Sequence, residues 1–383
     1  MRNTNIPKVR FKQFKDLWNE NKIRNIVSIS AGEDIDRSKL KNKGKYPVIA
    51  NALTNKGIVG FYDDYKVKAP AVTVTGRGDV GYAVARHENF TPVVRLLTLQ
   101  SDNIDVDYLE NLINSMKILN ESTGVPQLTA PQLGNYKVYH PEIDEQSAIG
   151  SLFRILDDLL VGYKNNLANY QSLKATMLSK MFPKAGQTIP EIRLDGFERK
   201  WEKKKLIDLV SPVSRKVKKP SDPYYRLSIR SHAKGTFKQF VDDPKKIAMD
   251  NLFEVKENDL VVNITFAWEH AIAVASKEDD GLLVSHRFPT FVIDKSDKNF
   301  INIYIKREEF RQKLDLLSPG GAGRNRVLNV KDFIKIQMIV PELEEQQAIG
   351  SYFSNLDNLI NSHQEKITQL ETLKKKLLQD MFI

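Results

Sequence analysis

The chain is 383 residues long and carries 58 lysines and arginines against 48 aspartates and glutamates, a formal charge of +10 with a pI near 9.3. That length has room for two or three domains, and the moderately basic balance is compatible with nucleic acid without demanding it. The lack of cysteine excludes a disulfide framework and thiolate metal sites and suits a reducing cytosol. No stretch approaches the roughly 18 unbroken apolar residues of a membrane span, and Met1-Arg2-Asn3-Thr4-Asn5 leads into no hydrophobic signal region, so a soluble cytoplasmic protein without a membrane partner is expected.

The first recognisable stretch is Ile6-Pro7-Lys8-Val9-Arg10-Phe11, with Phe14 and Trp18 behind it. A first middle region, about 23–139, reads as short strands between turns, predicted at 46–50, 58–61, 71–75, 82–85 and 93–99 from their β-branched and aromatic residues. A helix at about 106–119 and a last strand at 136–139 lead to Pro141. From there a long helix is predicted. Proline is tolerated at a helix entrance, and Glu142, Asp144 and Glu145 suit the positive end of its dipole. Apolar residues follow at Ile149, Phe153, Leu156, Leu160, Tyr163, Leu167, Tyr170, Met177 and Met181, in the alternating steps of four and three that mark a coiled-coil seam. Lys174 interrupts that seam, either fixing register or snorkelling its stem past an apolar neighbour.

After the turn-forming linker Pro183-Lys184-Ala185-Gly186-Gln187-Thr188 the chain writes itself a second time. The opening returns as Ile189-Pro190-Glu191-Ile192-Arg193-Leu194, with Phe197 and Trp201. A second middle, about 206–340, has strands predicted near 225–229, 260–264, 271–275 and 290–293, a helix at about 301–317 and a last strand at 336–340. Pro141-Glu142-Ile143-Asp144-Glu145-Gln146-Ser147-Ala148-Ile149-Gly150 then recurs, 200 positions on, as Pro341-Glu342-Leu343-Glu344-Glu345-Gln346-Gln347-Ala348-Ile349-Gly350. The second seam holds Ile349, Phe353, Leu356, Ile360, Ile367, Leu370, Leu377 and Met381, broken by Lys374 where the first is broken by Lys174. An ungapped repeat of this length is internal duplication.

About 40 helical residues would span roughly 60 Å at 1.5 Å per residue, and neither helix can bury its stripe alone. Each is expected to use the other. The fold class is therefore read as α/β (mixed α+β), with two heads separated by two long antiparallel coiled-coil helices and a pseudo-twofold from the duplication. The division expected is 1–140 and 184–340 for the heads and 141–183 and 341–383 for the spacer helices. The end of the second helix near Ile383 should return to the first opening at Ile6. The frames of the two halves agree while their middles differ.

No catalytic constellation and no metal-ligand spacing stands out. Asp222-Pro223-Tyr224-Tyr225 lacks the second proline of an adenine methyltransferase loop. Gly76-Arg77-Gly78-Asp79-Val80-Gly81 lacks a βαβ context, and Gly320-Gly321-Ala322-Gly323 lacks the Lys-Ser/Thr of a phosphate-binding loop. Candidates for nucleic-acid contact in the first middle are Thr75 and Arg77, where flanking glycines let the backbone approach a ligand and arginine can pair with guanine. Arg86 and His87 join them, as does Lys43 within the run Lys39, Lys41, Lys43 and Lys45. In the second middle they are Arg215, Lys216 and Lys218, Arg230 (with Ser228 and His232 expected on one strand face), Trp268 beside His270, His286, Arg287, Arg324 and Arg326. Off the seam, Asp157, Asp158, Asn165 and Lys180 would form any surface that meets partners.

The doubled Pro-Glu-x-x-Glu-Gln-x-Ala-Ile-Gly element and the doubled Ile-Pro-x-x-Arg opening resemble those of the specificity subunit of a type I restriction-modification system. The glycine turn after Val72-Thr73-Val74 is similar to one common in the target-recognition domains of that family. Glu257-Asn258-Asp259-Leu260-Val261-Val262-Asn263 and Gly281-Leu282-Leu283-Val284-Ser285 likewise resemble strand motifs of other members. The resemblance covers essentially the whole chain. It implies that each head reads one half of a split sequence in double-stranded DNA, that the helices set the gap, and that two modification (methyltransferase) subunits dock on them. Restriction/translocase subunits would complete the complex. It also implies no cofactor in this chain, with S-adenosylmethionine, ATP and Mg expected on the partners. A pure interaction scaffold and an orphan specificity subunit are the competing readings.

Overall fold

The computed structural model describes residues 5–116, 118, 126–318, 320 and 326–383. The chain divides into two units: residues 1–167 with 362–383, and residues 168–361. The two long helices, Ile143–Lys180 and Leu343–Asp380, each run 38 residues, about 57 Å at the α-helical rise. Each unit therefore contains one head, the head-proximal part of its own helix and the far end of the other.

In the first unit β1 (Asn19–Lys22) pairs with β9 (Lys137–His140) and brackets the head. Between them lie β2 (Ser28–Ala31), β3 (Tyr46–Ile49), β4 (Ile58–Tyr62), β5 (Ala71–Val74), β6 (Ala83–Arg86), β7 (Thr91–Pro92) and β8 (Leu97–Gln100). One antiparallel sheet has the order β2-β8-β5-β6, and a smaller one has the order β4-β3-β7 with β3 and β7 parallel. In the second unit β10 (Glu202–Lys205) pairs with β20 (Gln337–Val340) in the same bracketing role. Within it come β11 (Ser211–Val213), β12 (Lys216–Lys218), β13 (Tyr224–Ile229), β14 (Thr236–Val241), β15 (Asn251–Glu254), β16 (Asp259–Val262), β17 (Ile272–Val274), β18 (Leu283–Val284) and β19 (Thr290–Val292). Their sheets are β11-β19-β16-β17 and β12-β15-β18-β13-β14, with β13 and β18 parallel.

The two heads thus repeat one topology. The four-stranded sheets match strand for strand, the β3–β4 hairpin with parallel β7 matches the β13–β14 hairpin with parallel β18, and the second head adds β12 and β15. Sequence patterning placed most of the buried strands to within two residues. It missed the two-residue strands β7 and β18 and also β1, β2, β10, β11, β12, β14 and β15, whose residues are mostly exposed or half-buried and carry no apolar alternation. The single helix expected at 301–317 is two helices, Lys298–Tyr304 and Glu308–Leu316. Arg307 is extended between them, with its guanidinium 4.6 Å from the Phe182 ring centroid and 5.4 Å from that of Tyr304, and this stacking holds the break.

The doubled ten-residue element is where frame and head are joined. Glu145 is 2% exposed and accepts from Arg10 through Nε at 2.6 Å and a terminal nitrogen at 2.6 Å, with the Trp18 indole N–H at 3.3 Å. Its copy Glu345 accepts from Arg193 at 2.8 and 2.7 Å. The shared hydrogen bonds raise both arginine pKa values. Gln146 donates to the Pro141 carbonyl at 2.8 Å and accepts from the Asp105 amide at 3.1 Å; Gln346 does the same with Pro341 at 2.9 Å and Asp297 at 3.2 Å. Asp105 and Asp297 in turn cap the head helices, accepting from the Tyr108 amide at 2.9 Å and the Phe300 amide at 2.8 Å. Gly150 and Gly350 lie directly beneath these caps. A Cβ on Gly150 would stand 2.4 Å from Asp105 Oδ1, and one on Gly350 2.3 Å from Asp297 Oδ1.

Behind this joint the seam residues Ile149, Phe153, Leu156 and Leu160 bury into the core of the first unit, together with Trp18, Tyr108, Met381 and Phe382. Ile349 and Phe353 do so in the second, with Met181, Phe182, Trp201 and Phe300. Leu356 is buried as well, and Ile360 half-buried. Each fully buried apolar side chain contributes about 1.5–3 kcal/mol. The end of the second helix meets the first opening as expected, the Val9 amide donating to the Asp380 carbonyl at 2.9 Å. Ile192 repeats that bond with Lys180 at 3.0 Å.

Each seam lysine pairs with a carboxylate. In the first unit Lys374 Nζ reaches Asp157 Oδ1 at 2.5 Å, and in the second Lys174 bonds Asp357. These contacts, with Lys164–Glu371 at 2.7 Å, run antiparallel.

Two outcomes follow from the joint and the seam. In Gly150→Ala the helix propensity of alanine favours the variant by about 1 kcal/mol, but the clash with a capped helix start costs more. A net loss of about 1–3 kcal/mol is expected, read as a lower thermal midpoint. Lys174→Met removes a half-exposed ion pair and is expected to shift stability by less than about 1 kcal/mol in a urea titration.

Candidate nucleic-acid interface

Several sequence candidates turn inward. Thr75 is buried; its hydroxyl bonds the Asp79 carbonyl and accepts from the Tyr82 amide at 3.0 Å, closing the glycine turn between β5 and β6. Arg86 is 7% exposed, donates to Thr73 Oγ1 at 3.0 Å and the Lys56 carbonyl at 2.7 Å, and is pushed down to about 10 by burial. Arg215 grips the buried carboxylate of Asp259 at 2.5 and 3.2 Å. Arg326 bonds the Ser318 carbonyl at 2.8 Å and Asp315 Oδ1 at 2.5 Å while lying 5.1 Å over the Trp268 ring. Thr75 and Arg86 are buried, a correction to the charge-based expectation, whereas Arg215 and Arg326 are held in ion pairs with 26% and 24% of their side chains exposed. Arg324 lies outside the described residues.

Others are presented to solvent. Arg77 is exposed at the tip of its turn, where the backbone bridges to Gln127. A Cβ on Gly76 would meet the Arg95 carbonyl at 2.2 Å, and Gly78 has φ 76°, so both neighbours need to be glycine. His87 is exposed and paired with Asp107 at 2.8 Å. Lys43 is exposed before β3, beside Lys41 (2.5 Å from Asp63) and Lys45 (5.2 Å over the Tyr46 ring). Lys216 and Lys218 are exposed on β12, and His286 and Arg287 in the turn after β18. Arg230 follows β13, bonding the Thr236 carbonyl and stacking 5.0 Å from the Phe237 ring. Ser228, Arg230 and His232 do not share one face: His232 is left-handed (φ 61°) and turns the chain.

Unexpected from the sequence was the β13–β14 ribbon itself. Its register runs from Tyr224↔Val241 to Ile229↔Thr236, and it exposes Tyr225, Phe237, Lys238, Gln239 and Phe240. A turn signal existed in Gly235, but β14 carries no apolar alternation, so nothing in the sequence paired it with β13.

The charge has a place in this topology. Between β2 and β5 the first head holds eight cations and five anions; between β11 and β16 the second holds eleven and six. These matching segments, which carry the β3–β4 and β13–β14 hairpins, hold +8 of the chain's +10. The basic balance therefore belongs to one part of each head.

Residues 15–170 and 198–372 each match the type I restriction modification DNA specificity domain. The chain belongs to that family. Relatives include the type I restriction enzyme MjaVIII specificity subunit of Methanocaldococcus jannaschii, 23% identical over 278 residues, 69% of this chain and 65% of that one. The chain thus spans just under two thirds of that relative. The putative type I restriction enzyme MjaX specificity subunit of the same organism is 19% identical over 413 residues, covering 98% and 95%. The crystal structure of a type I restriction-modification S subunit from M. genitalium has the same fold, with a TM-score of 0.62 at 14% identity over 99% of both chains.

The turn of the ribbon rests on a buried histidine. His270 Nε2–H donates to the Ile305 carbonyl at 2.6 Å, while the His270 carbonyl accepts from the Ala233 amide at 2.8 Å. Burial lowers its pKa below the ordinary 6.5, more than the Ile305 carbonyl raises it. The unfolded chain then binds the extra proton first, so stability is full above about pH 6.5 and falls as pH drops below it. His270→Asn, which tolerates the left-handed backbone (φ 63°), is expected to flatten that loss in melts between pH 7 and 5.

Proposed function

We propose that the chain is the DNA sequence-specificity subunit of a type I restriction-modification complex. The head within 1–140 and that within 184–340 each bind one half of a bipartite, asymmetric double-stranded target. The helices within 141–183 and 341–383 set the gap and dock two modification subunits, and restriction/translocase subunits complete the assembly. The chain itself is non-catalytic and acts in the cytoplasm, with S-adenosylmethionine, ATP and Mg bound by its partners.

The observation that carries this reading is one topology used twice, with the same frame contacts and different exposed side chains. A homodimer of equal heads would suit a palindrome; two unlike heads in one chain suit an asymmetric target. Half-sites about one helical turn apart, roughly 34 Å, lie on one face of a duplex, and the long helices exceed that length. The charge in the matching segment of each head supplies sequence-independent attraction to phosphate, while side chains that differ between heads supply base readout.

The test is to express the chain with its cognate modification subunit in a methylation-free host and sequence native DNA for N6-methyladenine. The expected result is a split motif of two unlike half-sites around a fixed gap. No new mark, with both proteins soluble and co-purifying, would favour a plain interaction scaffold.

A further inference from the structure

The β13–β14 ribbon has features that a solvated hairpin does not need. Leu227 and Ile229 of β13 point into a small core with Val255, Val261, Ala273 and Val284. The alternate residues face the other way. On that face Arg226 Nε donates to Gln239 Oε1 at 3.0 Å, two residues along from Ser228 beside Phe237, over which Arg230 stacks. The Arg226–Gln239 bond sets the plane of both groups. It leaves the terminal guanidinium nitrogens and the amide N–H pair as donors, and one lone pair on the amide oxygen. Beyond the edge of the core, Tyr225 and Phe240 are 53% and 55% exposed with ring centroids 5.0 Å apart. An edge strand kept soluble by Lys238 alone is ordinary. One that also exposes Phe237 on the face of Arg226 and Gln239, and Phe240 opposite Tyr225 on the other, is a contact surface.

The ribbon is also held in place. At its turn the Arg230 amide donates to the Gly235 carbonyl at 2.9 Å, and the His232 and Ala233 amides donate at 2.8 Å to the carbonyls of Glu269 and His270. Ser231 bonds the Glu269 carboxylate at 2.6 Å. Its surroundings are cationic, the segment between β11 and β16 holding eleven cations against six anions. The partner that matches a rigid, two-stranded, positively charged surface with aligned arginine and glutamine is duplex DNA, whose major groove, about 12 Å wide, admits a two-stranded ribbon. The first head has the β3–β4 hairpin at the same place in its topology, preceded by Lys39, Lys41, Lys43 and Lys45.

We propose that the β13–β14 ribbon is the part of the second head that enters the major groove, with Arg226 and Gln239 reading adjacent bases, Arg230 holding a phosphate beside them and Lys238, opposite Leu227 on the outer strand, holding one from the other side of the ribbon. Arginine pairs with the guanine edge and glutamine with adenine, so this head's half-site contains both at neighbouring positions. The inference rests on the function proposed above and names the residues that perform it.

The experiment uses the full chain co-expressed with its modification subunit and compares the methylated motif of wild type with Arg226→Ala, Gln239→Ala and Lys238→Ala. The two readers' variants are expected to relax one position each, by about tenfold or more, in one half-site only. The other half-site stays unchanged and reports that the protein is folded. Loss of marking altogether, with co-purification and melting temperature intact, also supports the ribbon. Lys238→Ala is expected to weaken binding evenly across sequences with a shallower salt dependence. If wild type marks a split motif and both readers' variants mark it unaltered, the ribbon is not the reader and only this inference falls. If the variants instead lose the modification subunit while keeping the motif, the surface binds protein and the inference is overturned. If wild type leaves no mark at all, the proposed function falls and the inference with it.

Discussion

The structure depends on one joint, made twice: a glutamine on a long helix that holds the capped start of a head helix over a glycine. Gln146 ties the Pro141 carbonyl to the Asp105 amide, and Gly150 leaves the space in which Asp105 caps its helix. Arg10 and Glu145 close the other side, where a desolvated carboxylate accepts three donors. Removing either partner of such a pair strands a buried charge, and adding a methyl to the glycine displaces the cap. The joint admits few substitutions, which is the physical reason that its residues stand unchanged in both copies while the heads beyond it do not.

Because the joint is local, it constrains little further out. The four-stranded sheet of each head continues the packing from the joint, and its strands keep the same order and sense in both heads. The second sheet is farther from the long helices in the chain of contacts. It is also where the heads part, with three strands in one and five in the other. Charge follows the same gradient. The cations that make the chain basic are gathered in the segments that carry the hairpin of this second sheet, so the variable part of each head is also its most basic part.

Inward-turned cations make the same point from the other side. Arg86, Arg215 and Arg326 looked like candidates because sequence shows only that they are charged. In the fold each is committed to carbonyls or a carboxylate of its own head, Arg86 buried and Arg215 and Arg326 half-buried, and Arg307 stacks on Phe182 to separate two short helices. Arginine suits these posts because its flat, delocalised cation can be desolvated while its donors stay bonded.

The sequence by itself determined the duplication, the long helices and their seam, and the two-headed organisation. Each is written in periodicity or in repeated residues, and contacts between i and i+4 or between identical motifs need no knowledge of the rest. It also carried the family, through the ten residues of the joint. What only the tertiary structure decided was which polar residues face outward, how β14 pairs with β13, and that Lys174 and Lys374 bond Asp357 and Asp157. Those outcomes depend on partners far away in the chain, and a strand with no apolar alternation leaves its register to the neighbours that fold against it.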